Sequence, residues 1–138
     1  RIPFLIVAPG LIAPGSVCHR PVDLSALYPT LLELAGLPPD EACDGVSLVP
    51  LLKNPDAQWD RPAVMTYLRN NHAVRNDRWR YIRYANGSEE LYDHHSDPHE
   101  WTNLAKDSAY DAIKEELRTW IPTETAPEVP RLRKKKAP

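Results

Sequence analysis

Charge of one sign is what this sequence lacks first. Its 17 Lys and Arg stand against 19 Asp and Glu, for a net charge of −2 and a pI near 6.2. That balance gives no electrostatic footprint for nucleic acid, and the local basic stretch PRLRKKKAP at residues 130–138 reads as a solvated tail. Long apolar runs are missing as well. None approaches the roughly 18–20 residues that a membrane-spanning helix requires, and no secretory signal precedes the first strand-like segment. Cysteine is scarce: Cys18 and Cys43 form at most one bridge, and each reads more readily as a free thiol. Hydrophobic residues make up 42% of 138, enough to bury a core without disulfides or metal. An initiator Met is absent too. The sequence opens directly on the apolar RIPFLIVAPG, which leads to the expectation that it starts inside a larger fold.

What is present has a clear order. PFLIVAPG is a short continuous apolar run closed by Pro9 and Gly10, the pattern of a strand buried on both faces in a parallel sheet. Asp23 then stands at an N-cap position. Leu24, Leu27, Tyr28, Leu31, Leu32 and Leu34 recur at helical spacing until Gly36, predicting an amphipathic helix over 23–35 that Pro29 kinks or restarts. Prolines 38, 39, 50, 55 and 62 mark a long surface wrap with one helical turn near 48–52. The period then shortens. Residues 63–68, 72–75, 79–84 and 90–92 are β-prone stretches separated by Asn-rich turns, predicting an antiparallel meander with a hairpin at Asn86-Gly87. A last helix over 108–121 presents Tyr110, Ile113, Leu117 and Trp120 on one face, and Pro122 stops it.

The densest polar passage is ELYDHHSDPHEWTNLA, with His94, His95 and His99 among Asp93, Asp97 and Glu100. Zinc would need such groups to converge on one point at about 2.0–2.2 Å. Pro98 bends the chain into a turn after Asp97, which accounts for more of the positions. Asp97 serves as N-cap, Pro98 as first helical residue and Glu100 as capping-box partner, with Leu104 buried beneath and the Asn103 amide bonded to backbone. No metal ligands are assigned.

RIPFLIVAPG, VDLSALYPTLLELAGLPP, DGVSLVPLL, HAVRNDRWRYIRY and ELYDHHSDPHEWTNLA, taken in this order, resemble the closing segments of a sulfatase from residue 1 to about 121. Within that family of sulfuric ester hydrolases the likeness is to iduronate-2-sulfatase-like and arylsulfatase-like members. The resemblance implies the C-terminal portion of an alkaline-phosphatase-like α/β fold. Residues 1–62 would end the main domain with a strand, a helix and the wrap. Residues 63–122 would form the meander with its helix, and 123–138 a Pro-rich basic tail.

The resemblance also implies what the parent uses: a formylglycine made from a Cys/Ser-x-Pro-Ser-Arg motif, beside a calcium ion. Neither Cys18, followed by His19-Arg20-Pro21, nor Cys43, followed by Asp44-Gly45-Val46, fits that motif. Formylglycine and calcium are therefore expected in an N-terminal catalytic part that would be this chain's partner. The parent's substrate would be a sulfated small molecule or glycan, and its compartment periplasmic, extracellular or lysosomal. No catalytic residue is assigned within the chain. His72 and Arg75, in NNHAVRND, are the candidate substrate contacts, since a guanidinium fork suits sulfate or carboxylate and an imidazole suits a sugar hydroxyl. The structural alternative makes them ordinary meander residues, with Arg75 paired to Asp77. A function of a different class also stands: a self-contained module binding an acidic glycan or a protein through its basic tail and aromatic meander.

Overall fold

The computed structural model describes residues 2–127, so the basic tail lies outside the described residues. The chain divides into two compact units, one holding the residues up to Ala63 together with Arg75–Asp77, the other Val64–Val74 and the residues from Arg78 onward.

In the first unit a 3-10 turn, Leu24–Ala26, leads straight into helix α1, Leu27–Leu34. The Asp23 carboxylate accepts from the Ser25 amide at 3.0 Å, so the expected cap operates one turn ahead of the α-helix proper. Pro29 explains that division. Lying in the first turn of α1, its missing N–H is one of the four that no helix can satisfy internally. Gly36, at φ +67°, ends the helix. Its amide donates to Glu33 O and that of Leu37 to Leu32 O, a pairing that needs the left-handed residue where glycine stands.

Helix α2, Val49–Lys53, is the expected single turn, with Pro50 at its start. It is tied to α1 through one buried hydroxyl. Thr30 Oγ1 donates to Ala26 O at 2.6 Å and accepts the Leu48 amide at 2.8 Å. Ala26, Leu48 and Leu51 form a small core with Val22, Leu52, Ala57 and Trp59 packed against it. Gly45 crosses that core's edge so closely that a Cβ there would lie 2.0 Å from Ser25 O.

Residues 3–9, expected as a buried strand, carry no strand assignment and no ladder partner among the described residues, and Leu5 and Val7 are 84% and 77% exposed. A strand is defined by its neighbour, and apolar content alone supplies none.

The second unit carries a four-stranded sheet in sequential order: β1 Ala63–Thr66, β2 His72–Arg75, β3 Trp79–Arg83 and β4 Glu89–Asp93. The antiparallel β3–β4 pairing places Arg80 opposite Tyr92, Tyr81 opposite Leu91 and Ile82 opposite Glu90. Its hairpin has a three-residue loop, Ala85 to Gly87, closed by Gly87 N to Tyr84 O and Tyr84 N to Ser88 O, both 2.9 Å. Gly87 at φ +83° supplies the left-handed residue such loops require.

Alternation sends Val74, Trp79, Tyr81 and Leu91 inward. There they meet Ala105 and Leu117, the latter from helix α3, Asp111–Arg118, which follows a 3-10 turn at Ser108–Tyr110. Leu104, Tyr110, Ile113 and Ile121 pack around this core. The predicted last helix is thus present but shorter at both ends. Asp107 caps its 3-10 turn through the Ala109 amide at 2.9 Å.

Candidate functional site

β2 carries both candidate substrate contacts, and its pleat separates them. His72 and Val74 are buried on the core side, whereas Ala73 and Arg75 are only partly covered. Residues three apart on a strand face opposite ways, so these two side chains do not converge. His72 Nδ1 lies 3.0 Å from Thr66 Oγ1, and burial, helped by the charge of Arg83, holds its pKa below the usual imidazole range. A neutral imidazole bonded to a hydroxyl is the state this environment favours. Arg75 donates to the Asn76 carbonyl, while Asp77, its suggested partner, pairs with Arg20.

Asp93 and Glu100 organise the histidine-rich turn. Arg78 forks onto Asp93, with Nε to Oδ1 at 2.9 Å and Nη2 to Oδ2 at 2.7 Å. That bidentate contact, with the His95 amide, holds the Asp93 pKa at about 2. Glu100 was expected to close a capping box, yet residues 97–101 form turns without a helix. Its backbone sits at φ +60°, and its carboxylate reaches Arg80 Nη1 at 2.6 Å and His94 Nε2 at 2.7 Å instead. An ion pair with a half-covered arginine outweighs one backbone amide as a partner. Burial opposes its ionisation, but Arg80 and His94 keep the Glu100 pKa low.

Asp97 does act on backbone, as expected. Its Oδ2 accepts the Thr102 amide at 2.8 Å, which with further turn N–H groups lowers its pKa. Asn103 Oδ1 accepts from Leu91 N at 3.1 Å and Ala105 N at 2.9 Å, and Leu104 N donates to Leu91 O at 2.8 Å, so this turn is stitched to the middle of β4.

Two further constellations escaped sequence reasoning. Glu90 accepts from Tyr84 Oη at 3.0 Å and Tyr92 Oη at 2.9 Å, and burial together with that bond raises the Tyr92 pKa to about 12. Glu89 accepts from Tyr81 and from Arg118 Nη2, the latter at 2.6 Å, with Lys114 Nζ at 3.9 Å. Alternation along β3 and β4 indicated which face each residue takes, but the partners follow from the register between the strands.

The inward carboxylates are therefore committed to protein donors. Among the described residues no group of three or more His, Cys, Asp or Glu is arranged to hold a metal ion. Cys18 Sγ donates to Pro55 O at 3.4 Å, while burial and the nearby Asp40 and Asp44 raise the Cys43 pKa. A donor set of this kind does not fit calcium, which takes six to eight converging oxygens, nor a formylglycine precursor.

The model of the family "N-sulphoglucosamine sulphohydrolase, C-terminal" matches residues 1–126. A sulfatase of Formosa agariphila is 38% identical over 91% of this chain and 25% of its own length. The choline-sulfatase of Rhizobium meliloti is 37% identical over 77% of the chain and 22% of its own. Among solved structures, a 2-O GAG sulfatase superposes with a TM-score of 0.53 at 34% identity, covering 67% of this chain and 22% of that one. The chain thus spans about a quarter of the length of the curated relatives it matches. On the family match and the shared α/β architecture, the chain belongs to the sulfatases, as their C-terminal domain.

Proposed function

We propose that this chain serves as the C-terminal part of a sulfate-ester hydrolase, docking on an N-terminal catalytic part that supplies the nucleophile and the calcium. The observation that carries this is the first unit's uncovered apolar surface. Leu5, Val7, Leu31 and Leu37 are all more than half exposed, as is Tyr28 on α1. So many exposed large apolar side chains in one unit are what a surface built to be covered carries. Residues 2–8 would then add a strand to the partner's sheet, using backbone groups that have no ladder here.

Formylglycine would be the acceptor of the sulfuryl group in the catalytic part, and no step of that chemistry runs through this chain's residues. Of the two candidate contacts only Arg75, partly covered on β2, would reach a substrate, since His72 is buried against Thr66 on the other face of the strand. The relatives' names include both choline-sulfatase and 2-O GAG sulfatase, so the domain accompanies small and glycan substrates alike.

Turnover of a chromogenic aryl sulfate tests the proposal. The chain alone, with or without calcium, should give only background rate, whereas the chain together with the catalytic part should be active. Catalysis by the rigorously purified chain alone would overturn it, as would an assembled protein with no sulfatase activity.

A further inference from the structure

Trp101 is 84% exposed, so folding of the second unit gains almost nothing from its ring. It is nevertheless held firmly. On its N-terminal side Glu100 is fixed in a left-handed backbone conformation and anchored by Arg80 and His94. On its C-terminal side the Thr102 amide is clamped by Asp97, and Asn103 is bonded to β4. His99 stacks on the indole, with centroids 5.1 Å apart and planes only 22° from parallel. One face of Trp101 is thus backed by a second ring while the indole as a whole remains open to solvent.

We propose that the Trp101–His99 pair is a stacking subsite for the pyranose ring of a glycan, an assignment that rests on the sulfatase reading for its choice of ligand. The axial C–H bonds of a pyranose present a flat, weakly positive face that matches the negative face of an indole. The setting favours a sugar over a protein partner. Protein interfaces centre on clustered apolar anchors inside a rim. The chain neighbours His95, Ser96, Pro98, His99 and Thr102 are all exposed, and none is a large apolar side chain. A lone flat ring among hydrogen-bonding groups suits a ligand that is apolar on one face and hydroxylated at its edge. Because the stacked face carries no charge, the subsite should accept sulfated and unsulfated rings alike.

The test uses the complete 138-residue chain immobilised at low density, so that self-association contributes nothing. The probes are a chondroitin sulfate tetrasaccharide and its chemically desulfated counterpart. Both should bind, Trp101→Ala should weaken both by about two- to tenfold, and Trp101→Phe, which keeps a flat ring, should retain most of the affinity. Unchanged melting of both variants would show that the fold is intact, as an exposed side chain predicts. Three outcomes overturn the proposal: no binding of either probe at millimolar concentration, binding that Trp101→Ala leaves unchanged, or binding of the sulfated probe alone. Aryl sulfate turnover by the assembled protein is read separately. Activity without tetrasaccharide binding defeats the subsite but not the function, and binding without activity does the reverse.

Discussion

The two units solve opposite problems. The second closes its own core: Val74, Tyr81, Leu91 and Leu117 are almost inaccessible, and the charges around them are paired. The first unit buries only Ala26, Leu48 and Leu51 in its cluster, while its 3-10 turn leaves Leu24, and α1 leaves Tyr28 and Leu31, more than half exposed. Length does not explain the contrast, since both have helices and enough apolar residues. What differs is where the complementary surface comes from. In the second unit strand, turn and helix are consecutive in sequence, so the core side chains of the sheet and of α3 meet within about fifty residues of chain. The first unit's faces find no such partner among the described residues.

Mutation can sharpen this contrast. The largest effect is expected at the centre of the second unit, where Leu91→Ala should cost about 2–5 kcal/mol in denaturant unfolding. A cost below that range would mean that this core is as loose as the first. Acid should act next. Asp93 has its pKa depressed from 3.8 to about 2, so its stabilisation is fully present above the unfolded value and is lost as the pH falls through about 2. With Arg78 half-exposed, solvent screening trims this contribution to about 1–2 kcal/mol, and Asp93→Asn should flatten the acid limb of the stability curve accordingly. Asp97→Ala, which frees the Thr102 amide, should lower the melting temperature measurably, and the exposed His95→Gln much less. Smallest of all, Leu5→Gln and Leu31→Gln should shift unfolding by under about 0.5 kcal/mol while reducing self-association in sedimentation. Should either prove as damaging as Leu91→Ala, the first unit's apolar face is internal after all.

The sequence made the second unit largely legible because its signals are local. Period-two alternation located all four strands, Asn86-Gly87 located the hairpin, and the spacing of Ile113 and Leu117 located α3. Asp23 and Gly36 likewise marked both ends of the first helix. The failures have a common physical origin in partners distant along the chain. Capping-box spacing assigned Glu100 to the nearest backbone amide, but a carboxylate takes the strongest donor within reach, and Arg80 lies twenty residues earlier. Apolar content assigned a strand to residues 3–9, whereas strand formation is decided by a neighbour. The Glu89 and Glu90 networks depend on the β3–β4 register, which no short-range pattern specifies.

Thr30 has a spectroscopic consequence. Its hydroxyl is wholly inaccessible and joins the first turn of α1 to the amide of Leu48, eighteen residues further on. Leu48 N–H can exchange with solvent only when that joint opens, so one slowly exchanging proton in the proline-rich wrap reports the integrity of a helix to which it does not belong. On association with a catalytic partner, its protection factor would rise by the amount by which docking steadies α1, giving a single-residue gauge of assembly that does not depend on turnover.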